Sequence, residues 1–115
     1  MSPLARVVEE RREDVSVAAI VGEVDASNTV AIADRLRAAV TNRSEVLVVD
    51  LTETAYLDSA GINLLYELAN ELEHRQQELR LVIAAASPIS RMLAIAGVDG
   101  AVRTYATRDD AFAGR

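Results

Sequence analysis

The sequence predicts an α/β fold: a mixed, mostly parallel β-sheet flanked by about four helices. Three observations carry that expectation. Short β-branched runs alternate along the chain with segments of helical periodicity. The run at residues 46–51, Val-Leu-Val-Val-Asp-Leu, is almost wholly apolar, as a central strand covered on both faces would be. The chain has 115 residues, half of them apolar, with no internal repeat or Pro/Gly-rich linker, which fits one compact domain over residues 1–115.

Residues 4–8 and 15–21 are β-rich and flank a charged stretch at 9–14, which includes Arg11 and Arg12. They read as a hairpin that brings antiparallel pairing to the N-terminal edge of the sheet. Residues 22–28 form a loop in which Asp25, Ser27 and Asn28 could each cap a first helix. That helix runs to about Val40, with Ile32, Leu36, Ala39 and Val40 on one face. A second helix starts near Ser59 and continues to about His74 or Gln76, and residues 79–84 form another strand. Ser87-Pro88, a cap residue followed by proline at the first helical position, opens a third helix that ends at Gly97. Residues 102–105 make the last strand, and Thr107 caps a short C-terminal helix. Pro3 and Pro88, the two prolines, interrupt none of these segments.

Composition narrows the function classes. Without cysteine there is no disulfide, zinc-finger or iron–sulfur chemistry. A net charge of −6 opposes binding to nucleic acid, which demands a basic patch, and gives no attraction to anionic lipid. The apolar runs at 81–86 and 92–96 stop far short of the roughly 20 residues a bilayer needs. Arg6, Glu9 and Glu10 precede any long apolar stretch, so a signal peptide is not expected and a cytoplasmic protein is. Aromatic residues are few (Tyr56, Tyr66, Tyr105, Phe112), which leaves the core to Ala, Val, Leu and Ile.

The segment Leu57-Asp58-Ser59-Ala60-Gly61-Ile62 bears most directly on function. A serine or aspartate just ahead of an amphipathic helix caps it by accepting an orphan backbone N–H. The same N-terminus also suits a phosphoryl group, because free amides and the helix dipole point there. At 100° per residue, Ile62, Leu65, Leu68, Ala69 and Leu72 fall on one side of the second helix. Asn63, Tyr66 and Asn70 fall within roughly 40° of Ser59 on another. Ser59 therefore heads an outward stripe, along which Tyr66 is either an interface anchor or ordinary half-exposed packing.

Catalysis by Ser59 is not expected. Leu57 stands where a hydrolase nucleophile elbow has glycine. The single histidine, His74, lies on the same helix roughly 22 Å away along its axis. A magnesium-dependent enzyme would need Asp25, Asp50 and Asp58 to converge. No glycine-rich phosphate loop accompanies them, and Asp25 and Asp58 each have a simpler role as loop or cap residues. No metal or cofactor is expected.

The segment Tyr56-Leu57-Asp58-Ser59-Ala60-Gly61-Ile62 resembles the phosphorylation-site motif of STAS domains, the family of bacterial anti-sigma-factor antagonists. The resemblance continues in order along the chain. Gly22-Glu23-Val24-Asp25 is similar to the family's Gly-Glu-Leu-Asp turn. Met92-Leu93-Ala94-Ile95-Ala96-Gly97-Val98 is similar to its Leu-x-x-x-Gly-Leu segment. Tyr105-Ala106-Thr107-Arg108-Asp109-Asp110-Ala111 is similar to its terminal Tyr-x-Thr-x-x-Glu-Ala pattern. Ala60, Thr54 and Asn63 depart from the commonest family residues, and none of these removes the acceptor serine.

The resemblance implies a STAS-like fold and a partner that is an anti-sigma factor with serine-kinase activity. The unmodified antagonist would capture that kinase and free a sigma factor, and phosphorylation of Ser59 would end the capture. Asp58 would orient the site and Asp25 would lie on the adjacent loop. Beyond what the resemblance gives, Ser27 on that loop and Asn63 and Tyr66 on the outward stripe are the further candidates for the partner-binding surface, with solvated helix surface the plainer reading of Asn63. ATP would be bound by the kinase, and a phosphoserine phosphatase could reverse the switch. Ser59 would both cap the helix and hold the phosphate. A different role that the family also suggests is a non-switching accessory or scaffold subunit of a stress-signalling or lipid-transport complex.

Overall fold

The computed structural model describes residues 4–114, so Pro3 lies outside it. The N-terminal hairpin is present, with β1 (Ala5–Arg12) antiparallel to β2 (Val15–Val24). Its turn is tighter than the charged stretch suggests, because Arg12 faces Val15 and only Glu13 and Asp14 intervene. Glu13 takes a left-handed φ of 55° to make that turn. Residues 9–12 join the strand despite their charge because β1 is the sheet's outer strand, where charged side chains remain in water. There Arg35 pairs with Glu9 and donates to the Val7 carbonyl at 3.2 Å.

Beyond the hairpin the chain forms α1 (Thr29–Ala39), β3 (Val46–Asp50), β4 (Thr54–Leu57), α2 (Ser59–His74) and β5 (Glu78–Val82). It closes with α3 (Pro88–Ile95), α4 (Val98–Ala101), β6 (Arg103–Tyr105) and α5 (Arg108–Ala113). The sheet order is β1-β2-β3-β5-β6, with β4 pairing to β2, and every pairing except β1 with β2 is parallel. On one face Ile20, Leu47 and Leu81 pack against Ile32 and Leu36 of α1, Leu65, Leu68 and Leu72 of α2, and Leu93 of α3. On the other face Val17, Val46, Val48, Val82 and Tyr105 meet α5 through Ala111 and Phe112. All five residues of β3 are buried, as its unbroken apolar run requires.

Two elements lack a sequence signal. In β4, Thr54 and Leu57 are buried while Ala55 and Tyr56 are exposed, so it shows neither alternation nor an apolar run. It is a strand because β2 extends past a register shift between Gly22 and Glu23 to pair with it. Thr54 is buried with its hydroxyl donating to the Ile20 carbonyl at 2.7 Å, so this departure from an apolar residue is satisfied. The other element is α4, a single turn following Gly97, whose φ is 79°. Five helices result, where the periodicity showed about four. The caps at Ser87 and Thr107 form as expected, accepting from Ser90 N and Asp110 N respectively.

Candidate functional site

The parallel strands β2 and β4 end side by side, and each delivers a loop to the same end of the sheet. The first loop, residues 25–28, is held from inside. Asn28 is 2% exposed; its Oδ1 accepts from Asp25 N at 3.0 Å and its Nδ2 donates to the Glu23 carbonyl at 2.9 Å. Asn28 stands at the N-cap position of α1, yet its side chain makes no cap bond. The Asp25 carboxylate is likewise spent within the loop, accepting from both the backbone N–H and the hydroxyl of Ser27. Those two bonds hold the Asp25 carboxyl below its ordinary pKa. None of the three candidate caps therefore caps α1, because each side-chain oxygen either shapes the loop or donates inside it.

The second loop ends at Asp58, which is the true N-cap of α2. Its Oδ1 accepts from Ala60 N at 2.9 Å and Gly61 N at 3.1 Å. Its Oδ2 accepts from Ala26 N at 3.3 Å, and its own amide donates to the Val24 carbonyl at 3.2 Å. One carboxylate thus starts the helix and ties the two loops together. Gly61 lets the helix begin so close to the strands: a Cβ there would lie 3.0 Å from Leu57 Cδ2 and 3.2 Å from Val24 Cγ1.

Ser59 is the first residue of α2, exposed, and its Oγ makes no hydrogen bond among the described residues. The expectation that Ser59 would also cap the helix is thereby corrected. Asp58, one residue earlier, has the extended backbone of a cap (φ −96°, ψ −172°) and takes the amides itself. Asn63 and Asn70 are exposed as the spacing gives them, and Leu65, Leu68 and Leu72 are buried. The buried arc is shifted from the expected one: Ile62 and Ala69 are only partly buried at its margin, and Leu64, which the spacing did not place there, is buried. Tyr66 is half-buried and its hydroxyl donates to the Ala96 carbonyl at 2.8 Å, joining α2 to the end of α3. His74 pairs through Nδ1 with Asn70 O at the far end of the helix.

Asp50 does not join Asp25 and Asp58. Its side chain is 8% exposed; Oδ2 accepts from Arg108 Nε at 2.6 Å, and Oδ1 accepts from the amide and hydroxyl of Thr52. Burial alone would raise its pKa, but Thr52 and the Arg108 guanidinium hold the carboxyl below its ordinary value. Among the described residues no three metal-ligating side chains gather. Nor is any helix long and apolar enough to cross a membrane.

Sequence reasoning missed one feature beside this site, an open groove of about 340 Å³ between α1 and α2. Its floor includes Ala33 and Leu64, and it runs from Ala60, next to Ser59, to Arg37. Arg37 closes that end by a two-bond ion pair with Glu71, both contacts at 2.9 Å. Val30 stands at the lip, 74% exposed. The available signal was a valine on the first turn of α1 that lies off the apolar face formed by Ile32, Leu36 and Val40.

Comparison with known proteins places this geometry in a family. The chain is 30% identical over 101 residues to the anti-sigma-F factor antagonist RsfB of Mycobacterium tuberculosis, covering 87% of this chain and 80% of that one. It is 29% identical over 91 residues to the anti-sigma-B factor antagonist of Listeria monocytogenes, covering 79% of each. The crystal structure of an anti-sigma factor antagonist from Mycobacterium paratuberculosis superposes with a TM-score of 0.86 at 25% identity, over 98% of this chain and 96% of that one. The sequence profile of the STAS domain matches residues 6–111, from the start of the hairpin into α5, and the chain belongs to the STAS domain family.

Proposed function

We propose that this protein is an anti-sigma-factor antagonist: it captures an anti-sigma factor that is a serine kinase, frees a sigma factor, and releases its partner when Ser59 is phosphorylated. The observation that carries this is the exposed, unbonded Ser59 hydroxyl at the head of α2, in a STAS domain whose named relatives are anti-sigma-factor antagonists. A hydroxyl that is to attack phosphorus in a kinase's active site has to be reachable by that kinase, and Ser59 is. Asp58 is the positioning residue, because it fixes the start of α2 against the loop that carries Asp25 and Ser27. Asn63 extends the partner surface by one turn, and Tyr66 forms its far margin. The protein itself catalyses nothing and needs no cofactor, since ATP belongs to the cytoplasmic kinase; a phosphoserine phosphatase resets the switch.

Phosphorylation would add about −1.5 to −2 charges at Ser59. The Ala60 and Gly61 amides already serve Asp58, so the new charge faces outward, toward the partner. The switch is local charge and bulk on a fixed frame, without refolding.

The test uses the anti-sigma-factor serine kinases of the source organism, purified singly and supplied with ATP. The cognate kinase adds one phosphoryl group to the wild type and none to Ser59→Ala. Equal labelling of both proteins would assign the site elsewhere. Ser59→Glu weakens binding to the unlabelled kinase while leaving the circular-dichroism spectrum and melting cooperativity unchanged.

A further inference from the structure

We propose that the groove between α1 and α2 is a docking channel for a short segment of the anti-sigma factor, one bearing an apolar side chain followed by a basic one. The proposal rests on the function given above and names what the partner brings to the site. Four observations carry it.

The groove starts at Ala60, the residue after Ser59, so a kinase that encloses the serine overlies its mouth. Its floor is apolar and well packed, Ala33 being 6% and Leu64 5% exposed, yet Val30 beside it is 74% exposed. A valine so placed gains about as much from being covered as any core methyl cluster, and an apolar side chain laid over Ala33 and Leu64 would cover it. The closed end is acidic. Arg37 is neutralised by Glu71 and lies 3.8 Å from Asp34, while Glu67 on the groove wall forms no ion pair among the described residues. Asp34, Glu67 and Glu71 outnumber the two guanidiniums that act on them, Arg37 and, at Glu71, Arg75, and the excess of negative charge calls for a cation from the occupant. A second copy of this chain is a poor occupant, because it would bring another net charge of −6 to an acidic surface.

Two substitutions separate the parts of the idea without threatening the fold. Val30→Asp changes an exposed residue in the first turn of α1, where an acidic side chain suits the helix dipole, so the folded state is retained. Glu67→Arg reverses a charge on an exposed position of α2 that forms no close ion pair among the described residues. The experiment titrates the full chain and each variant against the kinase that labels Ser59, by calorimetry without ATP, and then measures phosphorylation rates over a range of antagonist concentration.

The expected result is about 30-fold weaker binding for Val30→Asp and about tenfold for Glu67→Arg. Both variants should raise KM with kcat nearly unchanged, and Val30→Leu should restore wild-type affinity. Wild-type affinity in Val30→Asp, with Ser59 still labelled, would overturn the channel and leave the proposed function intact. Tighter binding by Glu67→Arg would overturn the basic occupant. If no anti-sigma-factor kinase binds the wild type, both proposals fall. If sedimentation shows Val30→Asp converting a wild-type dimer to monomer, the occupant is a second copy and the proposal is overturned.

Discussion

Asp58 and Ser59 are neighbours in sequence with separate tasks: the carboxylate builds the site and the hydroxyl is left accessible. Truncating each should show the division. Asp58→Ala removes two bonds to the α2 amides and the link to Ala26, so it should destabilise by about 1–2 kcal/mol in chemical denaturation. Asp58→Asn, which keeps a capping oxygen, should retain most of that stability. Ser59→Ala should fall within about 0.5 kcal/mol of the wild type, because no bond to its Oγ is lost. The pair was visible in the sequence, but its division of labour was not: Asp and Ser cap equally well, and only the backbone angles decide which one stands at the cap. The same limit applied at Asn28, whose side chain bonds Asp25 and Glu23 across the loop, away from the helix it precedes.

At the scale of elements, the sequence was legible wherever periodicity ran long enough. The second helix, sixteen residues with Leu65, Leu68 and Leu72 buried, and the wholly buried β3 could be read directly. What escaped was structure created by a neighbour. The four residues of β4 become a strand through β2, which pairs with it across a register shift between Gly22 and Glu23. Gly22 itself serves the other neighbour: at φ 113°, a Cβ there would lie 2.1 Å from the Leu4 carbonyl oxygen at the start of the hairpin. The hairpin turn was hidden in a similar way, since a run of Glu and Arg reads as a solvated loop until Ala5 and Val7 anchor it to the core. Glu13 is strained in that turn at φ 55°, and an L-residue in the left-handed region is disfavoured by about 1–2 kcal/mol. Glu13→Gly should therefore stabilise the protein by about 0.5–1 kcal/mol, read as a raised melting temperature, since glycine's greater unfolded-state freedom offsets part of the relief. The groove was illegible for a related reason, because a space between two helices has no sequence period of its own.

For the whole molecule, the unequal covering of the two sheet faces decides where stability and recognition lie. Three longer helices guard one face, while α5 alone seals the other. It is held by Arg108 to Asp50 and Glu10, by Arg80 to the Ala111 carbonyl, and by Arg12 stacked 4.5 Å from the Phe112 ring. The Asp50 carboxyl sits below its ordinary pKa in the folded protein, so its contribution is complete above the unfolded-state value near about 4 and fades as pH falls through the lower folded value. Arg108→Ala should destabilise by about 1–3 kcal/mol at neutral pH. Melting curves from pH 7 to pH 2 should show the gap between variant and wild type narrowing at the acid end; a gap independent of pH would mean that the ion pair contributes nothing. This clamp, like the chain-wide order of motifs, joins residues 58 positions apart, and no window of sequence contains both partners.

The outer strand, with Arg35 donating to the Val7 carbonyl and pairing with Glu9, has a consequence for how such a protein can be stored. A bare strand edge is a template onto which other chains zip, ultimately as fibrils. Here a guanidinium occupies one of the edge's carbonyls, and Glu9, Glu10, Arg11 and Arg12 keep the remainder wet. The β1 edge therefore offers a second copy little to zip onto, and concentrated solutions of the protein are protected from fibril growth at that edge.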